Sequence, residues 1–526
     1  MAFRVLGSTA PEAIELGRLV HPRDGISNKI RYGGERHVLV LGANGSGKGT
    51  RILLPNLLDM RGARSLVVVD PKGELAAVSA PFRRRVGRVV ILNPFGVLTD
   101  RQGFEDMESV GFNPLAALNP SAREFNVQAS LLAEAMISVE TKQPHWDESA
   151  RALVAALIMY VTLVARKHGR VPAMREVRRL LCLASDAPHK GNDFEGAGIP
   201  KLARVMMRSS IEGLRNKASQ FTEWNGEIQS IVSTAKRHTE CFDDPEIADD
   251  MARDGFDFRD LKREPMTVYL VLPPEMMERH GKWLRLVLTA ALQAAMRPRE
   301  AGEPRVLFML DEFAALGHLK IIETAWALVR GYGIQIMPVL QDLNQLKSLY
   351  QERWETFIGN AGAVASFAPN DTTTATWLAA RLGETTRMMQ TQSSSTSESS
   401  GTNTGESTGE SSSPSGGSSN AGRSAGQSSG RSSSTSANTS PVKVPLMTAQ
   451  QLHGLQAGYM VLLMAGLSNA APVYAPAYFR IEQRLNRARV NPYYTPVPRR
   501  MALSPPSAGV SGEGFRSSPL AARGER

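Results

Sequence analysis

Short aliphatic runs recur along the chain, each closed by a glycine, an acid or a short polar or apolar turn residue: HVLVLG (37–42), SLVVVD (65–70), RVVILN (88–93), MTVYLVL (266–272), RVLFMLD (305–311) and IQIMPVL (334–340). Their apolar residues are consecutive rather than alternating. That pattern predicts strands buried on both faces, as in a parallel sheet. Helical periodicity fills stretches between them, notably 276–296 and 318–331. Alternating strands and helices predict an α/β domain with a mostly parallel sheet. Between 116 and 235 the strand-like runs vanish, and DESARALVAALIMYVTLVARK (147–167) and IPKLARVMMRSSIEGL (199–214) carry helical periodicity. This stretch reads as an all-alpha insertion dividing the α/β domain into 1–115 and 236–386.

From 387 to 442 the chain is Ser, Thr and Gly with few apolar residues, which predicts a disordered segment that cannot offset its own ordering entropy. Apolar runs resume over 443–485 as closing strands, and the Pro-, Arg- and Ser-rich tail, 486–526, reads as flexible. The longest apolar stretch, 152–165, is shorter than the roughly 18 residues of a membrane-spanning helix, so it reads as a buried core helix.

The first run leads into the chain's clearest chemical motif. Gly42-Ala-Asn44-Gly45-Ser46-Gly47-Lys48-Gly49-Thr50 follows HVLVLG and precedes a helical pattern. Glycines let backbone amides curl around phosphate oxygens, the helix N-terminus adds partial positive charge, and Lys48 supplies an ammonium for the β- and γ-phosphates. A glycine-rich turn before a helix looks the same in isolation; the preceding strand and following helix favour the phosphate loop. The residue after the lysine is Gly49, where Ser or Thr normally ligates Mg²⁺, and Thr50 is one position out of register.

The run 305–311 ends in Asp311-Glu312. A buried strand delivering paired carboxylates suits nucleotide hydrolysis: the first acid faces the metal, the second the attacking water. Gln341, at the end of 334–340, is either a γ-phosphate and water sensor or a turn amide. Asp70, in DPKGE, is either a further active-site acid or a turn starter.

Composition narrows the picture. The 526 residues carry a formal net charge of +10, which suits an anionic partner, although Arg83-Arg84-Arg85 is the one compact basic block. Cys182 and Cys241 lie in no metal-ligand or CxxC spacing, which argues against a disulfide framework or a zinc site and fits a reducing cytoplasm.

Taken together, GANGSGKGTRILLPNLL (42–58), VVVDPKGEL (67–75), FNPL (112–115), HWDESARALVAALIMY (145–160), TVYLVLPP (267–274), LFMLDEFAALGHL (307–319) and GYGIQIMPVLQDLNQLKSLY (331–350) resemble the TraG/TraD family of type IV secretion coupling proteins. These are relatives of the FtsK/HerA ring translocases. The resemblance implies a RecA-like P-loop NTPase domain with an inserted all-alpha domain, and a homo-hexamer hydrolysing ATP with Mg²⁺ at subunit interfaces. It implies that Gly42, Gly45, Gly47, Lys48 and Gly49 cradle phosphate, that Asp311 is the metal-side acid and Glu312 the water-side acid, and that Gln341 is the sensor. Arg330 matches a family arginine that reaches a neighbour's nucleotide, and Arg36 is a second candidate. The implied partners are DNA, single-stranded and presented by a relaxase complex, and components of the secretion channel. Family members begin with two transmembrane helices, whereas this chain starts almost directly at the motor. The expectation is a cytoplasmic protein held peripherally at the inner membrane by a separate anchor, or a start that lies further upstream.

Overall fold

A computed structural model describes residues 10–21, 25–62, 64–137, 144–183, 198–328, 331–407, 422–465 and 471–494. The chain divides into two units, 1–378 with 448–526, and 379–447.

In the first unit the strands are β1 (Ile14–His21), β2 (Gly25–Tyr32), β3 (His37–Leu41), β4 (Arg64–Val69), β5 (Arg88–Leu92), β6 (Met266–Leu270), β7 (Arg305–Leu310), β8 (Ile334–Leu340) and β9 (Ala361–Phe367). The second unit contributes β10 (Glu384–Ser407) and β11 (Gly422–Pro445), after which β12 (Tyr459–Met464) and β13 (Ala471–Tyr474) return to the first. Eleven strands form one sheet in the order β2-β1-β13-β12-β9-β3-β8-β7-β4-β6-β5. From β9 to β5 every pairing is parallel, and β12, β13, β1 and β2 extend the sheet antiparallel. All six runs expected as strands are strands. The sheet also contains β1, β2 and β9, which were not foreseen; β9 is AGAVASF, whose small residues blunt the apolar signal.

Burial on both faces explains the continuous apolar runs. Leu39, Leu41, Val67 and Val69 pack into one core, and Val38, Val40, Leu66 and Val68 into the other. The second core is covered by α1 (Leu54–Asp59) and α2 (Glu74–Arg83). The first is covered by the helical stretch: α3 (Phe125–Met136), α4 (Pro144–Lys167), α5 (Met174–Leu181), α6 (Ile199–Met206), α7 (Glu212–Ala218), α8 (Gly226–Thr239) and α9 (Pro245–Asp250), with α10 (Met277–Ala295) following β6. The helical run passes the expected limit at 235 and continues through a 3₁₀ turn, Phe258–Lys262. It has no separate core: Phe125 and Leu153 share a cluster with Leu39 and Trp283. Helix α4 is long and apolar enough by composition to cross a membrane, but most of its apolar stretch is buried in this bundle.

Two expectations about the C-terminal part need correction. The Ser-rich segment expected to be disordered forms a unit in which β10 and β11 pair antiparallel from Glu384↔Pro445 to Ser407↔Gly422. A two-stranded ladder pairs the inner-edge backbone groups of both strands without needing an apolar core, the outer-edge groups being left to water, and Thr is at home in strands. The turn between them, 408–421, lies outside the described residues. The tail expected to be flexible is held from 486 to 494: the Arg489 amide donates to Val78 O at 2.9 Å and Asn491 Nδ2 to Glu74 Oε1 at 2.8 Å. The rest of the tail, 495–526, lies outside the described residues.

The anchor of this tail is Arg484, 1 % exposed. Its guanidinium donates to Glu15 Oε1 at 2.5 Å and to Asp59 Oδ2 at 2.7 Å, while Arg487 reaches Asp59 Oδ1 at 2.6 Å. Burial raises the Asp59 pKa, but Arg484, Lys29 and Arg487 outweigh it and hold the group below its ordinary range. The contribution of this carboxylate is therefore present at neutral pH and lost only as acid takes the pH through the depressed value. Arg484→Ala is expected to cost about 3 kcal/mol, because Glu15 and Asp59 lose their buried partner and keep only the more exposed Lys29 and Arg487. A thermal melt of the purified protein checks this, and an unchanged midpoint would refute it.

Candidate active site

The phosphate loop begins where β3 ends. Gly45 and Gly47 have φ of +79° and +90°, a region closed to most side chains, so the turn depends on glycine there. Added to Gly42, a Cβ would sit 2.7 Å from Ser46 Oγ, which is itself buried with no hydrogen-bond partner among the described residues. A Cβ at Gly49 would meet nothing within 4 Å. The helix after the loop opens as a π turn, Gly49–Leu53, with the Leu54 N–H reaching Gly49 O. Pro55 explains it: proline cannot donate to Arg51 O and its ring crowds that carbonyl, so the wider turn relieves the clash.

Lys48 Nζ donates to Gly42 O at 2.5 Å and Ala43 O at 3.3 Å. Burial lowers its pKa from the ordinary lysine value, against the pull of Asp311 and Glu312. Thr50 Oγ1 donates to Gly47 O at 3.3 Å.

The carboxylates arrive from the neighbouring strands. Asp311 follows β7, and its Oδ1 accepts from the Glu312 amide at 3.2 Å. Burial pushes its pKa to about 6, Glu312 adds to the rise, and Lys48 opposes it. Glu312 has φ 53° and ψ 45°, the left-handed region, which costs a non-glycine residue ~1–2 kcal/mol. That geometry turns its side chain toward β8, where Gln341 Nε2 donates to Glu312 Oε1 at 3.0 Å. Asp70 follows β4 and is 1 % exposed. Its Oδ2 accepts from the Ala76 amide at 2.8 Å, in the first turn of α2, and the residue also lines the cleft. Burial raises its pKa to about 7, with repulsion from Asp311 and Glu74 adding to the rise.

These groups line one cleft of about 1410 Å³ at the carboxyl edge of the parallel strands. Asn44, Gly45, Gly47, Lys48, Gly49 and Thr50 form one wall, and Asp70, Asp311, Glu312 and Gln341 form another. Among the described residues no three His, Cys, Asp or Glu side chains converge as a metal cage. Mg²⁺ commonly uses one or two carboxylates and completes its shell with phosphate oxygens and water, so Asp311 beside Lys48 fits that ion. Arg36 is exposed and lies at the opposite end of β3 from the loop, where its carbonyl accepts from Gln335 Nε2. Arg330 lies outside the described residues.

One residue that sequence reasoning passed over connects this cleft to the helical stretch. Arg285, on α10, is 8 % exposed and donates from Nε to Ala135 O at 2.8 Å and from Nη1 to Leu316 O at 2.6 Å. Both carbonyls end helices, α3 and the 3₁₀ turn Phe313–Leu316 that starts at Glu312. Burial lowers the Arg285 pKa to about 10.

Comparison with known proteins follows from this geometry. A family model described as "Type IV secretory system Conjugative DNA transfer" matches residues 13–415. The chain belongs to this conjugative DNA-transfer family. Conjugal transfer protein TraG of Escherichia coli is 29% identical over 413 residues, covering 73% of this chain and 60% of that protein. Protein VirD4 of Agrobacterium fabrum is 26% identical over 379 residues, covering 70% of this chain and 52% of that protein. The chain thus spans 60% or less of the length of these two relatives. Among solved structures, the bacterial conjugative coupling protein TrwBdeltaN70 superposes with a TM-score of 0.55 at 17% identity, covering 84% of this chain and 85% of that one. TrwB has also been solved in complex with ADP and Mg²⁺, and that structure superposes with the same TM-score of 0.55 at 16% identity. The family member described here therefore has the RecA-like P-loop architecture with added helices that the sequence implied.

The raised Asp70 pKa gives a pH signature. A buried acid whose folded pKa lies above its unfolded value is best tolerated at low pH, and stability is lost as pH rises toward the folded value near 7. Asp70→Asn keeps an acceptor for the Ala76 amide and carries no charge. Its thermal midpoint minus that of the wild type is expected to grow between about pH 5 and about pH 8. Parallel melts across that range check it, and a flat or falling difference would refute it.

Proposed function

We propose that this chain is an ATP-driven coupling protein that recruits DNA and feeds it toward a type IV secretion channel. The observation that carries the reading is the meeting of Lys48, Asp311, Glu312 and Gln341 in one cleft. Family membership supplies the DNA-transfer context.

In this reading the loop amides and Lys48 bind the β- and γ-phosphates of ATP. Asp311, with Thr50 as the available hydroxyl, would hold Mg²⁺, which neutralises charge on the transferred phosphoryl group. Glu312 accepts the proton of the attacking water, and the amide of Gln341 aims that carboxylate. Gln341 also senses the γ-phosphate, and its backbone N–H, which donates to Gln345 Oε1 at 2.8 Å, ties this position to α11 (Leu343–Tyr350). The working assembly is a homo-hexamer in which Arg330 of one subunit completes the site of the next. The cargo is single-stranded DNA delivered by a relaxase complex. The motor works at the inner membrane, held by channel components and a separate anchor, and the net charge of +10 adds weak attraction to anionic surfaces.

Lys48→Ala is expected to weaken ATP binding by at least about tenfold, whereas Glu312→Gln should bind ATP normally and lose at least about a hundredfold in turnover. Equilibrium binding and steady-state ATPase assays, with and without single-stranded DNA, check both. Wild-type turnover in Glu312→Gln would remove its assigned role.

The shared site has its own test. Arg330→Ala and Lys48→Ala should each be inactive alone, and mixing them should restore part of the activity. A mixed interface is then intact where the Arg330→Ala subunit supplies the loop and the Lys48→Ala subunit supplies the arginine. Demonstrated mixed oligomers without any recovery would overturn the trans arrangement.

A further inference from the structure

The cleft that holds the phosphate loop has a second wall that phosphate chemistry does not use. After β13 the chain forms a 3₁₀ turn, Tyr478–Arg480, a short helix, Glu482–Leu485, and an irregular stretch of turns and bends to Tyr494. This strap is fixed along its length. Arg51, the residue after Thr50, donates from Nη1 to Ala475 O at 2.7 Å. Arg484 is buried between Glu15 and Asp59, and Arg489 donates from Nε to Ala77 O at 2.7 Å. Near its end, Tyr493 Oη donates to Lys72 O at 2.6 Å.

Toward the cleft the strap presents Tyr478, Phe479, Leu485, Val490 and Tyr494. Val490 and Tyr494 are 63% and 58% exposed, so neither is needed to fill a core. Asn491 braces this face, donating from Nδ2 to Glu74 and accepting the Tyr493 amide at Oδ1 at 2.9 Å. The cleft is thus charged and hydrogen-bonding on the loop side, while the strap side sets these aromatic and aliphatic side chains beside Asn486, Arg489 and Asn491. A ligand that matches both walls has a polyanionic end and a flat, weakly polar end, as a nucleoside triphosphate does. The phosphate loop reads only the first of these.

We propose that the strap, 478–494, is the nucleoside subsite, with Phe479 and Tyr494 contacting the base and sugar while Lys48 and its loop hold the phosphates. The proposal rests on the ATP reading of the cleft. It makes the C-terminal strap part of the substrate site and assigns ATP affinity partly to residues about 430 positions from the phosphate loop.

The test compares two probes on the full chain with magnesium present: ATP, and inorganic tripolyphosphate, which lacks base and sugar. Val490→Ser with Tyr494→Ala changes two exposed side chains and should leave the fold intact by circular dichroism. ATP affinity should fall at least about tenfold, as expected for loss of base contacts, with tripolyphosphate affinity unchanged. Phe479→Ala should act in the same direction. Lys48→Ala should weaken both probes. Unchanged ATP affinity in the folded Val490→Ser, Tyr494→Ala protein, or equal loss for both probes, overturns the subsite. If instead Lys48→Ala leaves both probes unaffected, the phosphate-loop reading fails, an outcome distinct from failure of the strap.

Discussion

The parallel pairing of β3, β8, β7 and β4 is the constraint on which the site depends. Parallel neighbours end on the same edge, so the residues that follow each strand emerge side by side. Gly42–Thr50, Asp70, Asp311–Glu312 and Gln341 are scattered over 300 positions of sequence and meet only because of that shared edge.

Gathering those groups under burial creates electrostatic tension. Asp70 and Asp311 are pushed up to about 7 and about 6, chiefly by desolvation, and Lys48 is pushed down for the same reason. Glu312 sits in a left-handed conformation beside them. Strain and like charge concentrate where a polyanion with its counter-ion would bind, as functional sites commonly arrange. Arg285 carries this edge into the helical bundle. It holds the last carbonyl of the turn after Glu312 and a carbonyl in the last turn of α3.

The antiparallel side of the sheet has a different task. Through β13 it leads into the strap, and Arg484 ties that strap to Glu15 on β1 and Asp59 at the end of α1. One buried guanidinium thus joins the first strand, the helix after the phosphate loop and the C-terminal segment. Arg487 and Lys29 add to the same cluster, so the three elements are tied by several charged contacts.

By itself the sequence determined what is local or periodic. The phosphate loop was legible because its glycines, Lys48 and the flanking strand lie within a few residues. Asp311, Glu312 and Gln341 were legible because each closes an apolar run, and the helical stretch showed its own period. Only the tertiary structure decided where the helical run ends, that it shares its core with the sheet, and that Asp70 both accepts from the first turn of a helix and lines the cleft. It also decided that 486–494, polar and rich in arginine, is a fixed wall rather than a loose tail. Charged residues read as solvated unless their partners are known, and Arg484 finds Asp59 425 positions away. The Ser-rich strands failed for a related reason: their pairing is backbone to backbone, and side-chain composition does not report it.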